Sequence, residues 1–156
     1  SQGCDAVSMN AMQVGIITEK IHSKARILEI KTDKIFKNLE EGKVVVIAGF
    51  QGITEDFEIT TLGRGGSDTT AIALAAALKA EKCEIFTDVD GVYSKDPNKS
   101  KDAVKFETIT YDKMLEMANN GAKVLHSKCV TMAKEKKVKI IVKSTFKEES
   151  VGTIVE

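Results

Sequence analysis

The chain has 156 residues, enough for one domain or a large part of one, and its 42% hydrophobic and 29% charged content is ordinary for a globular fold. Lys plus Arg and Asp plus Glu both number 23, so the net charge is zero and the basic excess of a general nucleic-acid binder is missing. No apolar run reaches the length of a membrane span, and the start, Ser1 to Asp5, lacks the charged and apolar regions of a signal peptide.

Strand-like and helix-like segments alternate along the chain. Val14 to Ile17 is a short apolar run, and Ala25 to Ile30 alternates as a strand does. Asp33 to Glu41 reads as a helix capped by Thr32 or Asp33, with Ile35, Phe36 and Leu39 on its apolar face and Gly42 as its stop. Lys43 to Phe50 is a continuous run rich in valine, as expected of a strand buried on both faces. Glu58 to Leu62 permits a hairpin or strand, and Gly63 to Gly66 must form a loop. Ser67 or Asp68 is the expected cap of a helix running to about Ala80. Glu84 to Thr87 is a strand ending in a turn over Asp88 to Gly91, and Pro97 lies in a loop. Tyr111 to Asn119 is expected as a helix with Thr110 as its cap, Val124 to Lys136 as another, and Val138 to Val142 and Thr153 to Val155 as strands. This alternation predicts an α/β fold, an open, mainly parallel sheet sandwiched between helices. Ligands of such sheets gather at the carboxyl ends of strands, which directs attention to the loops after Gly49, near Gly63 and after Thr87.

The three cysteines, Cys4, Cys83 and Cys129, are odd in number and widely spaced, which argues against a disulfide framework or a zinc site. Idle thiols in a reducing cytosol are expected, and hence a cytoplasmic protein.

Three stretches could carry chemistry. In Thr61 to Thr70 (TLGRGGSDTT), Gly63, Gly65 and Gly66 allow close backbone approach, and the following helix start favours an anion. Arg64 can grip a carboxylate through two parallel hydrogen bonds, and Asp68 can hold an ammonium group, so the pair suits a free amino acid. The same residues also fit a plain glycine turn. Neither the P-loop nor the dinucleotide fingerprint is present, since Asp68 stands where a third glycine would be needed. In Thr87 to Pro97 (TDVDGVYSKDP), Thr87 and Asp88 offer a hydroxyl and an acceptor for ribose or hydrated magnesium, and Tyr93 offers a flat face for a base. An ordinary Asp-Gly turn is the alternative. In Gly121 to Ser127, Lys123 could neutralise a phosphate or simply be solvated, and His126 and His22 read as capping or surface histidines.

Taken together, VIAGFQG (Val46 to Gly52), TLGRGGSD, TDVDGVYSKDP, GAKVLH (Gly121 to His126) and the closing Gly152-Thr153-Ile154 resemble the aspartokinase family over nearly the whole chain, from about Asp5 to Glu156. The resemblance implies transfer of the ATP γ-phosphate to the side-chain carboxylate of L-aspartate, the first step towards lysine, threonine and methionine. It implies Arg64, Gly65, Gly66 and Ser67 at aspartate, with Asp68 close to the amino group. It implies Thr87, Asp88, Tyr93, Asn98 and Lys123 at ATP, with Mg2+ as the companion ion. Arg64 and Asp68 are then expected to share a cleft with Thr87 and Asp88. The implied fold is the amino-acid-kinase sandwich, in a homo-oligomer whose order stays open, with neither nucleic acid nor membrane as partner. Two residues depart from the family pattern: Asn98 stands where arginine is usual after Asp-Pro, and Ser127 follows His126 where proline is usual.

The family's Lys-Phe-Gly-Gly-Thr-Ser segment does not occur in these residues. Residues 1–156 are therefore expected to be a single partial domain, incomplete at the N-terminus, that needs the missing segment as its partner and carries no ACT domain. By themselves they are expected to show little or no turnover. Competing expectations are another amino-acid kinase acting on glutamate, acetylglutamate or UMP, and a non-catalytic nucleotide-binding fragment.

Overall fold

A computed structural model describes residues 3–97, 99–122 and 124–156. The chain divides into two compact units, one ending at Leu78 and one beginning at Lys79.

The first unit holds β1 (Ala6–Met9), α1 (Ala11–Val14), β2 (Ile16–Thr18), β3 (Ile27–Ile30), α2 (Asp33–Glu40), β4 (Val44–Ile47), β5 (Gln51–Ile53), β6 (Ile59–Thr61) and α3 (Gly66–Ala77). β1 and β4 pair in parallel, and a second sheet has the order β3-β2-β5-β6. In that sheet β2 and β5 run parallel, while β2–β3 and β5–β6 are antiparallel. The segment Glu58 to Leu62, which permitted a hairpin or a strand, supplies β6, the second strand of the β5–β6 hairpin. Ala11, Val14, Ile16 and Ile35 form the buried cluster of this unit, and Met9, Val45, Ile47 and Leu74 pack against it.

Four expectations change here. The run Val14 to Ile17 is split, because Gly15 turns left-handed (φ 87°) to end α1 before β2 begins. β4 is not buried on both faces: Val45 and Ile47 meet the cluster, while Val44 and Val46 remain 51% and 55% exposed. Its valine run follows strand propensity rather than double burial. In α2 only Ile35 is buried, and Phe36 and Leu39 are exposed. Thr32 occupies the N-cap of α2 but makes no side-chain capping bond.

The second unit holds β7 (Cys83–Thr87), β8 (Thr108–Ile109), α4 (Tyr111–Asn119), α5 (Ser127–Lys136), β9 (Ile140–Ser144) and β10 (Thr153–Val155). Its sheet order is β7-β9-β10-β8, parallel at β7–β9 and β10–β8 and antiparallel at β9–β10. Ile85, Met114, Leu125, Val130, Ile140 and Val142 are buried in its core. Thr110 caps α4 by accepting from the Lys113 amide at 3.2 Å, as expected. α5 starts three residues later than expected, because the His126 ring takes the N-cap: its Nδ1 accepts from the Lys128 amide at 3.2 Å. Cys83 and Cys129 are buried, Cys4 is exposed, and none of the three is in a disulfide. Helices thus flank mixed sheets in which, among the described residues, parallel ladders slightly outnumber antiparallel ones.

Candidate functional site

In the first unit the loop after β4 closes on the start of α3. The Phe50 amide donates to Thr70 Oγ1 at 3.1 Å, and that hydroxyl donates to the Gly66 carbonyl at 2.9 Å. The Leu62 amide donates back to the Phe50 carbonyl at 3.0 Å. Phe50 itself is held at φ 70°, a region that β-carbon sterics disfavour. Gly49 faces the helix start closely enough that a β-carbon on it would lie 3.4 Å from Ser67 Cα. The loops after Gly49 and around Gly63 are therefore one structure.

Gly63 and Gly65 both adopt left-handed φ, 76° and 69°, and Arg64 stands exposed between them. The N-cap of α3 is Gly65, not Ser67 or Asp68, and it supplies no side-chain cap. A capping side chain is unnecessary where left-handed glycine turns the chain into the helix. Ser67 and Asp68 instead fall in the first turn, Ser67 exposed and Asp68 half-buried. An exposed guanidinium beside a twelve-residue helix with its positive end toward the same loop can attract a carboxylate.

In the second unit, the residues from Thr87 to Pro97 except Asp90, together with Met117, Asn120, Gly121, Ala122 and Val124, line a cavity of about 650 Å³. Thr87, Asp88 and Tyr93 are among its lining residues, with Asn120, Gly121 and Ala122. A volume of this size suits a nucleotide-sized ligand. β7 delivers Thr87 at its carboxyl end, where the Thr145 amide donates to the Thr87 carbonyl at 2.8 Å. Thr87 Oγ1 donates to Asp88 Oδ1 at 3.1 Å, leaving the carboxylate exposed. Asn98 and Lys123, also expected at the nucleotide, lie outside the described residues.

Several supporting residues carried no sequence signal. Thr153 in β10 accepts from the Val92 amide at 2.9 Å and donates to the Phe106 carbonyl at 2.5 Å, tying the loop after β7 to the sheet. The Tyr93 hydroxyl donates to Asp90 Oδ1 at 2.7 Å. That bond, with Lys147 and Lys105 nearby, holds the Asp90 carboxyl below the usual carboxylate range against the opposing pull of burial. The same bond, helped by burial, raises the Tyr93 phenol above its ordinary value. Thr153 is 61 residues from Val92, so no local spacing could have revealed it. Asp90 sits in an Asp-Gly pair and reads as a turn residue.

Residues 1–144 match the model of the amino acid kinase family. The chain is 57% identical over 155 residues to "Aspartokinase 2" of Bacillus subtilis (strain 168), covering 99% of this chain and 38% of that relative. It is 53% identical over 154 residues to "Aspartate kinase" of Pseudomonas putida, covering 37% of it. In three dimensions it is similar to E. coli aspartokinase III in complex with aspartate and ADP, with a TM-score of 0.87 at 32% identity, covering 97% of this chain and 35% of that one. It shares its fold, at a TM-score of 0.66 and 15% identity, with UMP kinase from Bacillus anthracis. The chain spans a little over a third of the length of its curated relatives. The matched residues, the mixed sheets flanked by helices and the glycine loop opening α3 agree: this chain belongs to the amino acid kinase family.

Proposed function

We propose that this chain supplies the aspartate loop and the nucleotide site of an aspartate kinase, an enzyme that passes the γ-phosphate of ATP to the side-chain carboxylate of L-aspartate. The observation that carries this reading is the cavity of about 650 Å³ whose walls come from TDVDGVYSKDP, all but Asp90, and from the segment around Gly121, stretches some thirty residues apart in sequence. The solved relative that holds aspartate and ADP supports the choice of ligands. In this reading residues 1–156 are a C-terminal, nucleotide-binding part of a catalytic domain that acts in the cytoplasm as a homo-oligomer.

The chemistry sets what the residues must do. A side-chain carboxylate oxygen forms a bond to the γ-phosphorus, the bond from that phosphorus to the β–γ bridging oxygen breaks, and ADP leaves with the electron pair. An aspartate side chain, with a pKa of about 4, is already ionised at neutral pH, so no general base is required. Both partners are anionic, and positioning with cationic stabilisation does most of the work. Arg64 grips the α-carboxylate and Asp68 faces the ammonium, while Gly65, Gly66 and Ser67 let the helix start approach the substrate. Thr87 and Asp88 serve ribose hydroxyls or hydrated magnesium, Tyr93 lies against the base, Lys123 neutralises phosphate charge, and Asn98 serves the nucleotide without the phosphate contact that arginine would make there.

Magnesium fits this donor set only as a companion of the nucleotide. Among the described residues no three His, Cys, Asp or Glu side chains gather into a cage. A magnesium ion held by phosphates, water and one carboxylate such as Asp88 needs no cage, and when bound it supplies neutralisation of phosphate charge.

The test is an ADP-coupled assay on the full-length protein, with trapping of the acyl phosphate by hydroxylamine. Aspartate should support turnover and hydroxamate formation. Turnover with glutamate, acetylglutamate or UMP at the aspartate rate would overturn the assignment of substrate.

A further inference from the structure

Among the described residues from Thr87 to Pro97, Asp90 alone does not line the cavity. Its carboxylate is spent elsewhere. Oδ1 accepts from the Tyr93 hydroxyl at 2.7 Å, and Oδ2 accepts from Lys147 Nζ at 3.1 Å. Its carbonyl accepts from Ser150 Oγ at 3.3 Å, and Lys105 Nζ donates to that Ser150 hydroxyl at 3.4 Å. Tyr93 and Lys105 also pair through an isolated antiparallel bridge. The Asp90 side chain is 20% exposed, whereas its Lys147 partner is 66% exposed. The acid is thus packed behind the loop, with Tyr93 as its route to the cavity.

We propose that Asp90 is a positioning residue for the nucleotide: it pins the far end of Tyr93 so that the ring stands as a fixed wall of the cavity. The proposal rests on the reading of that cavity as the nucleotide site. A tyrosine ring has two rotatable bonds, and fixing its hydroxyl fixes both. A ring already held in place removes an ordering cost that the ligand would otherwise meet on binding. An ionised acid facing a protonated phenol has only one direction of donation, and the displacement of the two groups' titrations agrees with that assignment. Asp90 does not line the cavity and Tyr93 does, so its effect must pass through Tyr93.

The experiment measures ATP affinity by calorimetry and steady-state constants in the full-length protein for Asp90→Ala, Asp90→Asn, Tyr93→Phe and Asp90→Ala/Tyr93→Phe. Freeing one side chain predicts an increase of about three- to tenfold in the ATP dissociation constant and KM for Asp90→Ala. Its kcat and aspartate KM should stay within about twofold, since the defect is in nucleotide ordering. Asp90→Asn keeps the Oδ1 acceptor and should restore ATP binding to within about twofold of wild type. Tyr93→Phe should lose as much as Asp90→Ala, and the double variant no more than either alone. Additive losses, equal losses for Asn and Ala, or unchanged ATP binding in Asp90→Ala would overturn the role of Asp90. Should Asp90→Ala not fold, the contrast between Tyr93→Phe and Asp90→Asn decides the matter in the same way. A wild-type protein that takes no ATP would instead remove the nucleotide reading, and this inference with it.

Discussion

Gly66 and Phe50 are in such close contact that a β-carbon on Gly66 would lie 2.6 Å from Phe50 Cδ2, with Leu62 Cβ at 3.1 Å. The aromatic ring from the loop after β4 occupies the space that any other residue at the start of α3 would need. Gly66→Ala should therefore push Phe50 and Leu62 apart. The ring is 43% exposed and can swing, which limits the cost to about 1–2 kcal/mol. A urea unfolding midpoint checks the loss, and a rise in aspartate KM without one in ATP KM checks that the disturbance is local. An alanine variant as stable as wild type would contradict the packing described.

Thr153→Val tests the strut under the loop after β7. Valine keeps the shape but removes the acceptor of the Val92 amide and the donor to the Phe106 carbonyl. A buried amide left without a partner costs about 1–3 kcal/mol. The variant should lose stability by that amount and bind ATP more weakly, while Thr153→Ser should keep most of both. Thermal unfolding and ATP titration of the two variants check this.

Arg64→Lys tests the grip on the substrate. Lysine keeps the charge but cannot form the two parallel bonds of a guanidinium. Hydrogen bonds to charged groups are worth about 1.5–3 kcal/mol each, so losing one should raise aspartate KM by about 10- to 150-fold. ATP affinity should be unchanged. An equal loss for both ligands would show that Arg64 acts otherwise.

The Asp90–Tyr93 bond predicts a two-edged pH profile. Asp90 is depressed, first by the Tyr93 bond, so its contribution is present above the ordinary aspartate value of about 4 and fades as pH falls through the lower folded value. Tyr93 is raised, first by the Asp90 bond, so its contribution is present below about 10 and fades as pH rises through the higher folded value. The stability difference between wild type and Tyr93→Phe should be level from about pH 4 to 10 and shrink at both ends. A difference that is constant at every pH would contradict the bond.

Much of this was legible in the sequence. Thr110 and the apolar spacing after it delimit α4, and the glycines at 63 and 65 mark a turn whose φ values are positive. The chemistry-bearing stretches TLGRGGSD and TDVDGVYSKDP could be placed after strands from period alone. What was not legible depends on contacts distant in sequence or on backbone shape. A left-handed glycine cap leaves no side-chain signature, so Ser67 looked like the cap that Gly65 is. The valines of β4 look equally buried in sequence, because propensity cannot tell the face on the cluster from the face turned outward. His126 moves the start of α5 by using a ring nitrogen where serine or aspartate would have been the familiar sign. Thr153 and Lys147 reach the loop after β7 from the other end of the unit.

The central claim is that the cavity between Thr87–Pro97 and Met117–Val124 is where the nucleotide binds. Amide hydrogen exchange of the full-length protein, followed with and without saturating ATP, tests it most directly. The account predicts slowed exchange in both segments together, with β3 and α2 unchanged. ATP that binds while leaving both segments as they were would contradict it.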